Sequence, residues 1–385
     1  MKALLKYTSW YLIISSIAVH IVVSGILILK PDFSKKAINY AINYLSPFVP
    51  TVFAGASIKP KDPLDVEIFN QFGSWVPQNI HNTQNIPKQV IKIGSKTYTS
   101  LKQVSAHIKD GDTVTIGPGT YHEPLIIRAN YVKIIGAGHV IIENTQAEGK
   151  GAILTKGDFT TISNIECRHI TVADNNGACV RHEGSHLELN HVYFHNSQTG
   201  LLTGKNAGLV AINNSRFESL GKNGQAHGIY TNGGELYISN SLFIAAKSEG
   251  HEIKSRSRKT MIQNSIIASL SSKDSRLIDI SQGGILSIKN SILQQGPFTA
   301  NGDMIGFGLE SMPYPENSIE LSGNTIILER NGHNVLIHKK NESTLLTSKN
   351  NVIIAKEDIQ LPGFNLFHKT REDAGFKPYP FIPKL

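Results

Sequence analysis

Residues 214–243 read NSRFESLGKNGQAHGIYTNGGELYISNSLF, and the phrase that opens the stretch, Asn-Ser-x-Phe, also closes it. Relatives of that phrase run along the chain as Asn190-His-Val-Tyr-Phe194, Asn214-Ser-Arg-Phe217, Asn240-Ser-Leu-Phe243, Asn264-Ser-Ile-Ile267, Asn290-Ser-Ile-Leu293, Asn324-Thr-Ile-Ile327 and Asn351-Val-Ile-Ile354, with a weaker copy at Asn164. From Asn164 onward the spacings are 26, 24, 26, 24, 26, 34 and 27 residues. Internal repeats of this length mark solenoids. Each unit carries two further short runs, such as Gly228-Ile-Tyr-Thr231 and Glu235-Leu-Tyr-Ile238, bounded by turn residues and free of helical periodicity. Three short strands per coil predict an all-β fold, a parallel β-helix. Each Asn is then expected in the same turn of every coil, bonded to the backbone and to the Asn above it.

Bulk composition agrees with many short strands: of 385 residues 33 are Gly, 40% are hydrophobic and only 18% charged. The formal charge of +8 points to an anionic partner, but no run of five or six like charges appears, so an acidic glycan is expected rather than nucleic acid. Cys167 and Cys179 are the only cysteines, and they are read as two small apolar fillers of the core. No CxxC, zinc spacing, P-loop or HExxH occurs, so neither a cofactor nor a metal is expected.

After a short flank at 1–9, residues 10–29 (WYLIISSIAVHIVVSGILIL) contain His20 as their sole ionisable side chain and are long enough to cross a bilayer. Lys2 and Lys6 precede the stretch while Lys30, Lys35 and Lys36 follow, so charge bias does not orient it. An uncleaved signal anchor is expected, followed by a linker at 30–89, the β-helix at 90–356 and a Pro-rich tail at 357–385. A lone N-terminal span of this kind implies a single-pass protein of the bacterial inner membrane, with the β-helix in the periplasm.

Ser100 to Ile108 places Leu101, Val104 and Ile108 on one helical face, with Gly111 as a stop, and is expected to form a helix that caps the first coil. The phrase that follows, Gly111-Asp-Thr-Val-Thr-Ile-Gly-Pro-Gly-Thr-Tyr-His-Glu123, resembles the opening of pectin-lyase-like right-handed parallel β-helix proteins. In the central coils His227-Gly-Ile-Tyr230, Gly250-His-Glu-Ile-Lys-Ser-Arg256, Ile278-Asp-Ile-Ser-Gln-Gly-Gly284, Gln294-Gln-Gly-Pro297 and Asn324-Thr resemble uncharacterised bacterial right-handed β-helix repeat proteins. The resemblance spans about residues 90 to 356 and implies the fold firmly and polysaccharide chemistry loosely.

Strand alternation predicts Glu252, Lys254 and Arg256 on the solvent face, with Ile253 in the core. With roughly 25 residues per coil, His227 and Tyr230 fall one rung earlier and Asp279 one rung later. Arg181 and His182 extend the same surface, and Arg258 adds a charge beyond the strand. The expected catalytic set is Lys254, Arg256, His227, Tyr230 and His251, with Glu252, Arg258, Asp279, Arg181 and His182 binding substrate. Cations would neutralise a uronate carboxylate while a base removes the proton beside it, which is lyase or epimerase chemistry. Lys254 is the expected base and Arg256 the expected holder of the carboxylate. Family 6 lyases of this fold use a Lys base and an Arg acid, and Glu252-Ile-Lys-Ser255 resembles their Lys-bearing coil; no role is carried over from it.

Inverting hydrolases of this fold need clustered carboxylates, and only Glu252 and Asp279 stand out in these coils. The Asp-Pro-His-Asp phrase of mannuronan epimerases is absent. Two non-catalytic alternatives remain: a solvated charge ladder, and a glycan-binding component that guides polymer among synthesis or export proteins. The widest interval, Gln294 to Asn317, is expected to wall a cleft.

Overall fold

The structure, a computed structural model, describes residues 62–79 and 86–385. The expected membrane span at 10–29 and much of the linker lie outside the described residues. Among the described residues no helix is long and apolar enough to cross a membrane.

The strands fall into three sheets, here called A, B and C, of 12, 11 and nine strands. Apart from an N-terminal hairpin, the next strand in a sheet lies three strands further along the chain, except at the last step of sheet B. Each coil therefore contributes one strand to each sheet, and the chain has the parallel β-helix architecture that its repeats predict. Sheet A begins with the antiparallel hairpin Ile91–Ile93 and Lys96–Tyr98 and ends at Leu345–Lys349; sheet C runs from Leu125–Ile127 to Val335–Lys339. Sheet B runs from Gly119–Tyr121 to Leu366–His368, so pairing continues past residue 356.

Alternation explains the core. In sheet A the aligned residues Leu189, Ile212, Ile238, Ile262, Ile288 and Leu321 point inward and are buried, while their neighbours Glu188, Ala211, Tyr237, Met261, Ser287 and Glu320 point outward. Sheet B supplies an inward row of Cys167, Phe194, Phe217, Phe243, Ile267, Leu293 and Ile326, in which Phe217 and Phe243 stack at 4.6 Å. Burial of each such side chain contributes roughly 1.5–3 kcal/mol.

The repeated Asn has a different reason from the expected ladder. Asn164, Asn214, Asn240, Asn264 and Asn290 adopt left-handed backbone with φ of 48–57°, a conformation Asn tolerates better than most residues. In two coils the same column is filled by His191 and Gly323, so Asn190 and Asn324 sit one residue out of register. The ladder belongs to the next residue: the backbone N–H of Ser215 donates to Ser241 Oγ (3.1 Å), that of Ser241 to Ser265 Oγ (3.1 Å), and that of Ser265 to Ser291 Oγ (3.2 Å). Asn324 and Asn351 continue it. These buried bonds satisfy amides that the turn would leave unpaired.

Helix α1 (Pro63–Phe72) lies over sheet B, where Ile68 joins Ile244, Ala268, Leu270 and Ile292 in a second small core shared with Ile382 of the tail. The expected capping segment forms only a short helix, α2 (Leu101–Ser105); Ser100 caps it and Leu101 and Val104 enter the main core. Cys167 and Cys179 are not free fillers but a disulfide between sheets B and C. The two successive strands of one coil bring their Cα atoms to 5.7 Å, within bonding range, and no spacing rule discloses that both side chains face each other.

Candidate active site on sheet C

Pairing in sheet C aligns Arg181, Leu202, Tyr230, Lys254, Asp279, Gly306 and His338 as one outward row. Tyr230, Lys254 and Asp279 therefore occupy consecutive rungs, as the coil length predicts. The Lys254 ammonium lies 3.5 Å from Asp279 Oδ2 and 5.6 Å from the centre of the Tyr230 ring; the Arg256 guanidinium lies 5.2 Å from the same ring. A phenol, two cations and a carboxylate converge.

A column of side chains three residues before this row completes the site: His227, His251, Arg276 and Asp303. The His227 and His251 rings stack at 4.7 Å, and both residues are buried. His227 Nδ1 accepts the backbone N–H of His251 (3.1 Å), and His251 Nδ1 accepts that of Arg276 (3.2 Å). A neutral imidazole that accepts at Nδ1 carries its proton on Nε2. Burial depresses His251 to about 4 and His227 well below the usual histidine range, so both rings are neutral donors at neutral pH. Burial alone would raise the Asp279 carboxyl. The His251 ring, whose Nε2 lies 3.9 Å away, a 2.6 Å bond from Ser281 Oγ and the charges of Lys254 and Arg276 override it and hold Asp279 below its ordinary value.

The extra length of the widest repeat interval falls in the long turn 308–317, between sheets C and A, while 294–295 and 303–307 of the expected wall belong to strands. The turn is tied down by Tyr314, whose hydroxyl donates to the Arg256 carbonyl (2.6 Å). Its Glu310 carboxylate bridges both cations: Lys254 Nζ is 2.9 Å from Oε1, and Arg256 reaches Oε2 with Nε at 2.8 Å and a terminal nitrogen at 2.6 Å.

Four expected members stand elsewhere. Glu252 precedes the strand Ile253–Ser255, so alternation does not govern it; its side chain turns inward, is 1% exposed, and accepts the Ala246 N–H at 2.5 Å. His182 follows outward-facing Arg181 and must point inward; it is buried against Thr155 Oγ1 (2.6 Å), and desolvation lowers its pKa to about 4. Arg181 faces out but lies three rungs from Lys254 and approaches Glu183 at 3.5 Å. Arg258 begins the next sheet, pairs with Glu235 and is solvent-exposed on another face. Conversely, sequence reasoning missed Arg276, Asp303, Ser281 and Glu310. Arg276 and Asp303 were legible as the next members of the His227–His251 column; Glu310 carries no repeat signal.

A separate polar cluster sits on sheet B. Glu166 accepts from His139 (2.6 Å), His195 (3.1 Å) and Arg168 (3.0 Å). Burial would raise this carboxyl, and the bonds from His195 and His139 instead bring it down to about 2. Trp75 stacks on neighbouring Tyr193 at 5.8 Å. Among the described residues no group of three or more His, Cys, Asp or Glu could hold a metal ion.

No protein-family model matches this chain, and no curated protein does. Among solved structures it is similar to an alginate lyase from Paenibacillus sp. str. FPU-7, at 16% identity over 69% of this chain and 94% of that one, with a TM-score of 0.49. It is also similar to pectate lyase Pel9A (15% identity, 71% and 73% covered, TM-score 0.41) and to an iota-carrageenase complexed to iota-carrageenan fragments (12%, 67% and 56%, 0.30). The fold assignment rests on the strand order itself.

Proposed function

We propose that the chain acts on an acidic polysaccharide by lyase-type β-elimination on the sheet C face. The observation that carries this reading is the grip of Lys254 and Arg256 on a single carboxylate, that of Glu310, above the Tyr230 ring. A uronate carboxylate in that place would be held by Arg256, and neutralising its charge would acidify the C5–H bond beside it. Lys254, acting as the base, takes the C5 proton, the C4=C5 double bond forms, and the C4–O4 bond breaks. Tyr230, whose phenol pKa is raised chiefly by burial, stays protonated and gives its proton to the departing O4.

In a non-catalytic role, binding or guiding glycan among synthesis or export proteins, Glu310 would stay on both cations and leave no base free. Ultraviolet absorbance separates the two readings. Incubation with a panel of uronic-acid polymers should produce the absorbing C4=C5 product; binding of a polymer without that product would leave only the guiding role.

We further propose that residues 10–29 anchor the chain in the bacterial inner membrane with the β-helix in the periplasm. The Cys167–Cys179 disulfide supports an oxidising compartment. Alkaline phosphatase fused after Leu385 should be active, and an inactive fusion at normal expression would reverse the topology.

A further inference from the structure

Turns that enter sheet A place one residue in left-handed backbone in six successive coils, Gly111 after α2 and then Tyr131, Phe159, His186, Gly208 and Gly234 in turns from sheet C, with φ between 57° and 81°. Backbone bonds stack several of these coils in register, for example Phe159 N to the Ser185 carbonyl, His186 N to the Ala207 carbonyl and Glu235 N to the Gly208 carbonyl. Glycine meets this conformation without strain, and three of these coils use it. The other three use bulky planar residues, which the conformation disfavours relative to glycine.

The three rings form a continuous pile. Tyr131 and Phe159 stack at 4.8 Å with planes 5° apart, and Phe159 and His186 at 4.4 Å and 11°. Tyr131 is 61% and Phe159 44% exposed. The pile stops at His186, because the next two rungs are Gly208 and Gly234. A Cβ at Gly208 would press on Ser185 Oγ and His186 Nδ1, and one at Gly234 would collide with the Gly208 carbonyl. What stands beside these glycines is a groove of about 540 Å³ lined by His186, Leu209, Ala211, Tyr237, Glu235 and Arg258. Ser185 Oγ, 2.8 Å from Nδ1, holds the His186 ring in place. Along the groove, Glu235 accepts from the Tyr237 hydroxyl (3.0 Å) and pairs with Arg258.

We propose that this groove is a saccharide-binding subsite, in which one pyranose ring stacks on His186 as the next member of the Tyr131–Phe159–His186 pile. A pyranose has an apolar C–H face and a rim of hydroxyls. The first matches the imidazole face, Leu209 and Ala211; the second matches the Glu235–Arg258 pair and the glycine backbone. The subsite lies beyond the turn from the sheet C row and stands whether or not elimination occurs there. Arg258 binds saccharide here, not in the Lys254 cluster.

Isothermal titration of the full chain with two probes tests the assignment: a neutral gluco-tetrasaccharide and a tetrasaccharide of hexuronic acid. Leu209→Trp fills the groove from a position that is 40% exposed, and His186→Asn removes the ring while keeping a residue that accepts left-handed backbone. Each should weaken binding of at least one probe tenfold or more with an unchanged melting temperature. The proposal is overturned if wild-type protein binds neither probe, or if both groove variants bind like wild type. The elimination assay is a separate readout, so loss of one reading leaves the other measurable.

Discussion

Arg256→Ala should lower kcat/KM for a uronic-acid polymer by on the order of 10²–10³, the usual loss when a preorganised group that stabilises developing charge is removed. Lys254→Ala should do at least as much, because it deletes the proposed base. Neither change should move the melting temperature appreciably. Both side chains bond outside the core, to Glu310 and, for Arg256, to Asn232, and partly exposed ion pairs of this kind contribute about 0–1 kcal/mol. The Tyr314 anchor bonds to the Arg256 carbonyl, which the substitution leaves in place. Glu310→Gln should act in the opposite sense: the competing carboxylate is gone, so KM should fall several-fold while kcat changes little. Loss of stability with activity retained in both cation variants would make the cluster a structural ladder. A raised KM in Glu310→Gln would make Glu310 a substrate ligand.

Glu252→Gln should stabilise the protein at neutral and alkaline pH, by an amount that grows as pH rises above the ordinary carboxylate range. Glu252 and Asp274 are buried carboxyls, and desolvation raises both: Asp274 to about 7 and Glu252 well above the carboxylate range. Asp274 Oδ1 is satisfied by Thr299 Oγ1 at 2.6 Å, whereas Oδ2 is buried without a partner. Both folded pKa values lie above the unfolded ones. Above about pH 4 the unfolded chain has therefore released protons that the folded chain retains, and stability falls as pH rises; for Asp274 the fall is about 1.4 kcal/mol per unit and ends near pH 7. His182, His227 and His251 have the opposite sign. Their folded pKa values are depressed, so their contribution grows as pH rises from about 4 toward 6.5. They are common to wild type and variant and cancel in the difference. Denaturant unfolding from pH 4 to 8 should show the stability difference opening with pH, and Asp274→Asn should reproduce the trend. A difference independent of pH would mean that Glu252 is ionised in the fold.

Which parts of the site could be read in advance follows from the range over which strand geometry holds. Within Ile253–Ser255 and its paired strands, alternation and coil length bring Tyr230, Lys254 and Asp279 together correctly. One residue outside the strand the rule fails: Glu252 was expected beside Lys254 and is buried. Arg181 and His182 are adjacent on one strand and cannot share a face, so only Arg181 lies on the outward row. The Asn repeat gave the period but not its cause, which is left-handed backbone at one column and a hydrogen-bonded ladder at the next.

By itself the sequence determined the parallel β-helix, the three strands per coil, the inward rows and the outward Tyr230–Lys254–Asp279 row, because each follows from a period of two within a strand and a near-constant coil length. Tertiary structure alone decided that Glu310 reaches back more than 50 residues to bridge Lys254 and Arg256, that Glu252 meets Asp274 in the interior, and that Cys167 and Cys179 form a bond. Turns and insertions set these contacts, and the path of a turn depends on what it packs against rather than on any repeat within it.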